Sequence, residues 1–192
     1  MIKKLFFILK IFFLFLISIN ISLADLQENL INKLTTTETL TFDFNQKIAN
    51  KEEIGTCYIK YPLLMKCNYK NSKEKIIISN GKTVAIIKKK YKKINLYPIK
   101  STPLFFILEK KKIIDLIKRN SPSEIDSNTI GFTFEDKRKN KVKMLFGKNS
   151  LDLRGWETKD SYSNKVVFEI NNLIINNQIL DNFFKIPQEK DL

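Results

Sequence analysis

The sequence predicts a mainly β protein of the α+β class: one strongly curved antiparallel sheet covered by a few short helices. Three observations predict it. Apolar and polar residues alternate through most of the chain, as in Leu40-Thr-Phe-Asp-Phe44 and Ile130-Gly-Phe-Thr-Phe134, the period of a strand with one apolar and one wet face. After residue 24, only two segments have clear helical spacing, and both are strongly apolar. A sheet with one apolar face must cover that face, and so few helices can do so only if the sheet bends around them.

The first 24 residues read as an address. Lys3 and Lys4 make a basic start, Ile11 to Ile17 contains no polar residue, and Ser22-Leu-Ala24 places small residues just before a cleavage point. This is the pattern of a secretory signal peptide. The uninterrupted apolar run is shorter than the about 20 residues that span a bilayer. Residues 25–192 are then the expected mature chain, a single domain that is soluble outside the cytoplasm. No Cys follows Ala24, so the chain is not expected to be a lipoprotein itself.

In order, Asp25–Leu34 carries apolar residues at Leu26, Leu30, Ile31 and Leu34, one stripe of a helix. Strands follow around Leu40–Phe44, Cys57–Tyr61 and Met65–Tyr69. Lys75–Ser79 and Thr83–Lys88 flank an Asn80-Gly81 turn, and Lys88–Lys93 forms the next turn and its shoulders before Ile94–Tyr97. Pro103 can open a helix, and Leu104–Leu108 with Ile113, Ile114, Leu116 and Ile117 continues helically. Asn120–Asn128 is a polar linker. Strands return at Ile130–Phe134, Val142–Phe146, Leu151–Thr158, Lys165–Asn171 and, last, Asn177–Ile186, giving roughly ten in all by alternating runs.

Composition removes several function classes. The chain has 34 Lys+Arg against 20 Asp+Glu, a formal charge of +14, and no His. Without His, histidine catalysis and His-containing zinc sites are excluded, and two Cys cannot form a four-thiolate site. No metal or other cofactor is expected. There is no Gly-x-Ser-x-Gly and no phosphate-binding Gly loop among five glycines, so the protein is not expected to be an enzyme. Asp152, Glu157 and Asp160 lie close in sequence but read as exposed strand charges. Only Arg119, Arg138 and Arg154 are Arg, whereas base and phosphate readers favour Arg. Lys3, Lys4 and Lys10 belong to the signal segment, which leaves +11. With an extracytoplasmic address, no nucleic-acid partner is expected.

Cys57 and Cys67 lie symmetrically about Pro62. If their runs pair as a hairpin the thiols face each other, and an oxidising compartment permits a disulfide; two buried free thiols are the alternative. The concave face of the sheet is expected to be lined by Phe42, Phe44, Ile59, Met65, Phe132, Phe134, Met144 and Phe146. These residues form either an ordinary core or an apolar cavity for lipid chains.

The order of segments resembles the periplasmic outer-membrane lipoprotein carrier family (LolA-type). The resemblance runs from about Leu40 to Pro187. It rests on Phe42-Asp-Phe-Asn-Gln46, Gly55 with Tyr61-Pro62, Ser79-Asn-Gly-Lys-Thr83, Ser101-Thr-Pro-Leu104, Leu151-Asp-Leu-Arg-Gly-Trp156 with Asp160, and Phe183-Phe-Lys-Ile-Pro187. It implies a half-open barrel whose helical lid, Leu104, Phe105, Phe106, Ile107 and Leu108, covers an acyl-chain cavity. It implies a periplasmic monomer that takes acylated lipoproteins from an inner-membrane lipoprotein-releasing ABC transporter and passes them to an outer-membrane acceptor lipoprotein. In one respect the chain departs from the family. The family's Arg before the Pro is thought to bond the lid backbone; Tyr61 stands here, with one hydroxyl against five donors. The lid then closes more weakly or through another contact.

A phospholipid- or polyanion-binding periplasmic module of the same half-barrel type is the alternative. Lys88–Lys93 and Lys110–Lys112 supply its charge, either as solvated edges or as docking points for anionic membrane or an acidic transporter patch.

Overall fold

The computed structural model describes residues 25–70, 74–122, 124–125, 127–135, 141–160 and 162–192. The expected signal segment lies outside the described residues. Helix α1 covers residues 25–36. Six strands follow as a meander: β1 (Thr39–Ile48), β2 (Lys51–Lys60), β3 (Leu64–Tyr69), β4 (Lys75–Asn80), β5 (Thr83–Lys88) and β6 (Lys93–Pro98). Helices α2 (Leu104–Leu108) and α3 (Lys110–Arg119) come next. A second meander ends the sheet: β7 (Glu124–Ile125), β8 (Thr129–Glu135), β9 (Lys141–Gly147), β10 (Leu153–Lys159) and β11 (Lys165–Ile175).

The eleven strands form one sheet in the order β6-β5-β4-β3-β2-β1-β11-β10-β9-β8-β7. Neighbouring strands are antiparallel throughout, and β1 pairs with β11 to join the two meanders. The sheet stays open between its edges β6 and β7. The chain passes from one edge to the other through α2 and α3, so topology alone puts these helices between the two ends of the curved sheet.

The alternation read from sequence sorts the two faces. Leu40, Phe42, Phe44, Cys57, Ile59, Met65, Cys67 and Tyr69 share one buried cluster with Phe132, Phe134, Met144 and Phe146. Leu30 and Leu34 of α1, Ile107 of α2 and Ile113 and Ile117 of α3 join the same cluster, so the helices fill the concave side. Full burial of such side chains is worth about 1.5–3 kcal/mol each. Lys33 fixes α1 to the loop before β10, with Nζ 2.6 Å from Asp152 Oδ1 and donating to Ser150 O at 2.6 Å. On the convex face, Ile78, Ala85 and Ile87 form a second, small cluster with Ile76, Ile94, Ile186 and Leu192.

Four sequence expectations change. The apolar stretch after Pro103 is two helices, because Glu109 leaves helical geometry (φ −90°, ψ 86°) and breaks the run. The polar linker 120–128 contains the short strand β7, which pairs with β8. Strand β11 runs on to Ile175, paired with β1. The last expected strand, Asn177–Ile186, is instead an irregular segment with a 3₁₀ turn at Asp181–Phe184. Asn176 turns the chain there with φ 59°. Its Oδ1 accepts from Glu38 N–H at 2.7 Å, and its Nδ2 donates to Thr36 O at 3.0 Å. Phe183 packs edge-on against Tyr58 at 4.9 Å, whereas Phe184 is buried.

Candidate functional site

The principal cavity, about 330 Å³, lies between α2 and the concave sheet. Leu104 and Ile107 form its lid side, next to Thr102 and Pro103. Met65, Cys67, Tyr69, Ile77, Val84 and Ile86 form one wall, and Trp156, Val166 and Phe168 form the opposite wall. Gln46, Thr158, Lys159 and Asp160 gather polar groups near the hairpin ends, and Thr102 adds a hydroxyl beside the roof. The cavity is therefore an apolar hollow with a polar rim, the arrangement that accepts an amphiphile.

An aromatic row floors the hollow. Trp156 stacks on Phe168 (4.1 Å between ring centroids, 9° between planes), and Phe168 stacks on Phe44 (4.7 Å, 20°). Phe44 meets Tyr69 edge-on at 4.8 Å. The row crosses β10, β11 and β1 and reaches β3 by passing over Gly55 of β2. Gly55 pairs with both Phe44 and Tyr69. A Cβ on Gly55 would lie 2.7 Å from the Phe44 ring and 2.1 Å from Asn68 O. The conformation of this wall therefore requires glycine there. Tyr69 Oη donates to Gln46 Oε1 at 2.7 Å, and burial, with Glu53 nearby, pushes its phenol well above the ordinary value.

The expected cavity residues separate. Met65 stands on the wall of the hollow. Phe42, Phe44, Ile59, Phe132, Phe134, Met144 and Phe146 are packed into the core, each no more than 2% exposed. Met144 and Phe146 border a pocket of about 20 Å³. Lys33 and Leu34 of α1 meet β9 at that small pocket, whereas the hollow opens over β3, β4, β5, β10 and β11. Of the five residues expected to form a lid, Leu104 and Ile107 face the hollow, whereas Phe106 and Leu108 are buried in the core and Phe105 packs partly against it. Lys112 Nζ lies 4.4 Å from the Phe106 ring centroid and 5.0 Å from that of Phe105.

Sequence reading missed Tyr69, Trp156, Val166 and Phe168 as wall residues. Each sits on an alternating strand, so the signal was present, but choosing among buried faces requires knowing which half the helices fill.

At the lid's far end, Leu63 N–H donates to Leu108 O at 3.0 Å. Leu63 follows Tyr61-Pro62, whose peptide bond is cis. The Tyr61 backbone N–H donates to Glu38 O at 2.9 Å, and its phenol is pushed up by burial. The Tyr61 ring lies 5.9 Å from Lys110 Nζ. Lys110 donates to Thr35 O and Thr37 O at 3.0 and 2.9 Å, joining α3 to the end of α1. Cys57 and Cys67 are directly paired across β2 and β3 and form a disulfide (S–S 1.95 Å). Asp160 ends the wall. Its carboxylate accepts from the backbone N–H of Tyr162 and Asn164, both at 2.9 Å. Together with the Asn164 side chain, these bonds hold the Asp160 carboxyl below its usual range.

The sequence profile described as "Outer membrane lipoprotein carrier protein LolA" matches residues 35–187. The chain belongs to this family. The outer-membrane lipoprotein carrier protein of Francisella tularensis subsp. tularensis (strain WY96-3418) is 28% identical over 200 residues, covering 94% of this chain and 93% of that protein. Among solved structures, an uncharacterized conserved protein from Thermus thermophilus superposes with a TM-score of 0.51 at 7% identity, over 85% of this chain and 94% of that one. A LolA superfamily protein from Nitrosomonas europaea aligns with a TM-score of 0.42 at 7% identity, over 78% and 90% of the two chains. The Thermus likeness is one of fold. Segments inside the matched range fall on the site: Gly55 under the aromatic row, Thr102-Pro103 at the start of α2, and Trp156 and Asp160 on the far wall.

Proposed function

We propose that this protein is a periplasmic carrier that shields the acyl chains of lipoproteins and ferries them from the inner to the outer membrane. The observation that carries the reading is the apolar hollow of about 330 Å³ roofed by Leu104 and Ile107, in a chain of the LolA family. Each buried CH₂ is worth about 0.8 kcal/mol, so an acyl chain crosses water only if enclosed. The hollow has apolar walls and a polar rim, and a chain inside it leaves its headgroup at the rim. The partners on this reading are acylated lipoproteins, an inner-membrane lipoprotein-releasing ABC transporter and an outer-membrane acceptor lipoprotein. Residues 1–24 act as the signal peptide that delivers the protein to the periplasm. The work is binding and release, without a chemical step.

Release requires two lid positions, and a ligand shifts their balance only through unequal contacts with them. We assign the closing contact to the Leu63 backbone, two residues beyond the position where the family has its Arg, with Tyr61 as packing beside it.

One observation favours a second reading, a phospholipid-binding module of the same half-barrel type. The hollow is at the lower end of ligand pockets, roughly 300–1,000 Å³, room for part of one acyl chain rather than three side by side. Mass spectrometry of species bound to protein purified from the periplasm separates the two. Co-purifying acylated lipoproteins support the carrier, which should also release lipoproteins from spheroplasts. Free phospholipid alone, with no release activity, overturns it in favour of the second reading.

A further inference from the structure

The convex face carries a concavity that the carrier reading does not use. It measures about 240 Å³ and lies between β3, β4 and β5 and the C-terminal segment after Phe184. Ile76, Ile78 and Ile87 form its floor, and Lys66, Lys89 and Lys185 stand around it. Pro187, Asp191 and Leu192 complete the side from the C-terminal segment. That segment is anchored: Ile94 N–H donates to Glu189 Oε1 at 3.1 Å, and Gln188 N–H donates to Asp191 Oδ2 at 3.2 Å.

Among the side chains of this wall, three lysines stand against one acid, Asp191. Among the described residues, Lys66, Lys89 and Lys185 take part in no ion pair. Asp191 is the one side-chain acid on the wall, and its carboxylate already accepts from the backbone. The Lys66 ammonium lies 4.3 Å from the Phe183 ring centroid, a contact that leaves its charge uncompensated. Burial, and then the neighbouring Lys89, lower the Lys66 pKa below its usual value. Like charges gathered over an apolar floor are complementary to an anion that carries an apolar group, and a recess of about 240 Å³, below the roughly 300–1,000 Å³ of drug-sized ligand pockets, limits that anion to a small one.

We propose that this convex pocket is a second binding site, for a small amphiphilic anion: a phosphate monoester or carboxylate on a short alkyl body. The anionic group meets the three ammonium groups, and the alkyl body lies along Ile76 and the lysine stems. Lipid breakdown products and free alkyl phosphates share this chemistry. The proposal does not depend on the carrier reading.

The test is calorimetric titration of the full chain with octyl phosphate, octanoate, inorganic phosphate and octanol. Octyl phosphate is expected to bind saturably. Lys66→Gln and Lys89→Gln should each weaken it about tenfold, the scale of one lost charge-assisted contact. Leu104→Glu, which alters the concave hollow, should leave that binding unchanged. Both lysines are surface groups at the pocket, so circular dichroism should match wild type. Octanoate should follow octyl phosphate, and octanol should show no dependence on Lys66. Wild-type binding of octyl phosphate by both lysine variants overturns the proposal. Equal affinity for inorganic and octyl phosphate overturns the amphiphile assignment. If Leu104→Glu abolishes binding and Lys66→Gln does not, the probe has entered the concave hollow: the convex site falls, and the carrier reading stands. Intact convex binding without lipoprotein release has the opposite meaning.

To set lipid breakdown products apart from soluble alkyl phosphates, the same variants are titrated with lysophosphatidic acid below its micellar concentration. A Lys66-dependent affinity at least equal to that of octyl phosphate assigns the site to the lipid source, whereas no Lys66-dependent binding overturns that source.

Discussion

Leu63 donates its backbone N–H to the carbonyl of Leu108 at 3.0 Å, joining the β2–β3 turn to the last residue of the lid helix. Leu63 can point its amide there because it holds φ 67°. Ser79 steadies the turn from the other side, its Oγ donating to Leu63 O at 2.6 Å. The contact is between backbones, so it survives the absence of Arg next to Pro62. A single neutral hydrogen bond is also weak enough to break in each loading cycle that the proposed carrier function requires.

Replacing the Leu63 amide by an ester removes this donor and leaves every side chain in place. The lid should then open more often, by about 1 kcal/mol or roughly fivefold. Hydrogen exchange at the Phe105 and Phe106 amides is the measurement. Unchanged exchange would show that lid packing alone holds α2.

Gly55→Ala should be among the most damaging single-methyl changes in the chain. The new Cβ would meet Asn68 O at 2.1 Å and the Phe44 ring at 2.7 Å, and neither backbone nor stacked ring has room to retreat. Overpacking typically costs about 1–3 kcal/mol, and backbone conflict places this substitution at the upper end. Urea denaturation should show the lower midpoint, with near-ultraviolet dichroism of Trp156 altered because Phe44 and Phe168 move together.

Much of the fold was legible because its strands obey period two. Thr83–Lys88 and the Asn80-Gly81 turn are found where their residues place them, and Asn80 Oδ1 accepts from Lys82 and Thr83 N–H to close that turn. The end of β11 and the course of 177–186 were not legible. They depend on Asn176 bonding to Thr36 and Glu38, partners 140 and 138 residues away. The site was half legible for a similar reason. Alternation identifies Phe132 and Met65 equally as inward-facing, and both join the buried cluster, but Met65 borders the hollow whereas Phe132 does not, a difference set by tertiary packing rather than by period.

Tyr69 gives the protein an alkaline limit. Its phenol is buried, 8% exposed, and bonded to Gln46, and its folded pKa is raised. A raised folded pKa means that the unfolded chain loses the proton first. Stability from this group is complete below the ordinary tyrosine value near ~10 and falls as pH rises past it. Tyr61, also raised by burial, adds to the slope. Tyr69→Phe should flatten the loss of stability above about pH 10, measured by urea midpoints across the alkaline range. An unchanged slope would mean that the phenol ionises freely in the folded state.

The Cys57–Cys67 bond closes a loop with a sequence separation of 10. Loop-closure entropy for so short a span gives about 2–3 kcal/mol. Both cysteines are buried, 0% and 2% exposed, so reductant should act slowly on the folded protein and rapidly in urea. Thiol trapping over time measures both rates. Once reduced, the protein should unfold at lower urea, and equal midpoints would remove the bond from the account of stability.

The lid offers a sharper distinction between function and folding. Phe106 and Leu108 belong to the core, 6% and 0% exposed. A charge at either leaves an unpaired buried ion, which costs several kcal/mol out of a stability of roughly 5–15 kcal/mol. Loss of activity there would report unfolding. Leu104 is different, because it is partly buried and faces the hollow. In the empty protein, Leu104→Glu can keep its carboxylate hydrated at the hollow. With a chain bound, that carboxylate is forced against alkyl groups. Leu104→Glu should therefore keep a near-wild-type urea midpoint while binding a fluorescent acyl probe at least about tenfold more weakly, ~1.4 kcal/mol. It should also fail to release lipoproteins from spheroplasts. Wild-type probe affinity in this variant would place the acyl site away from α2 and sink the lid assignment.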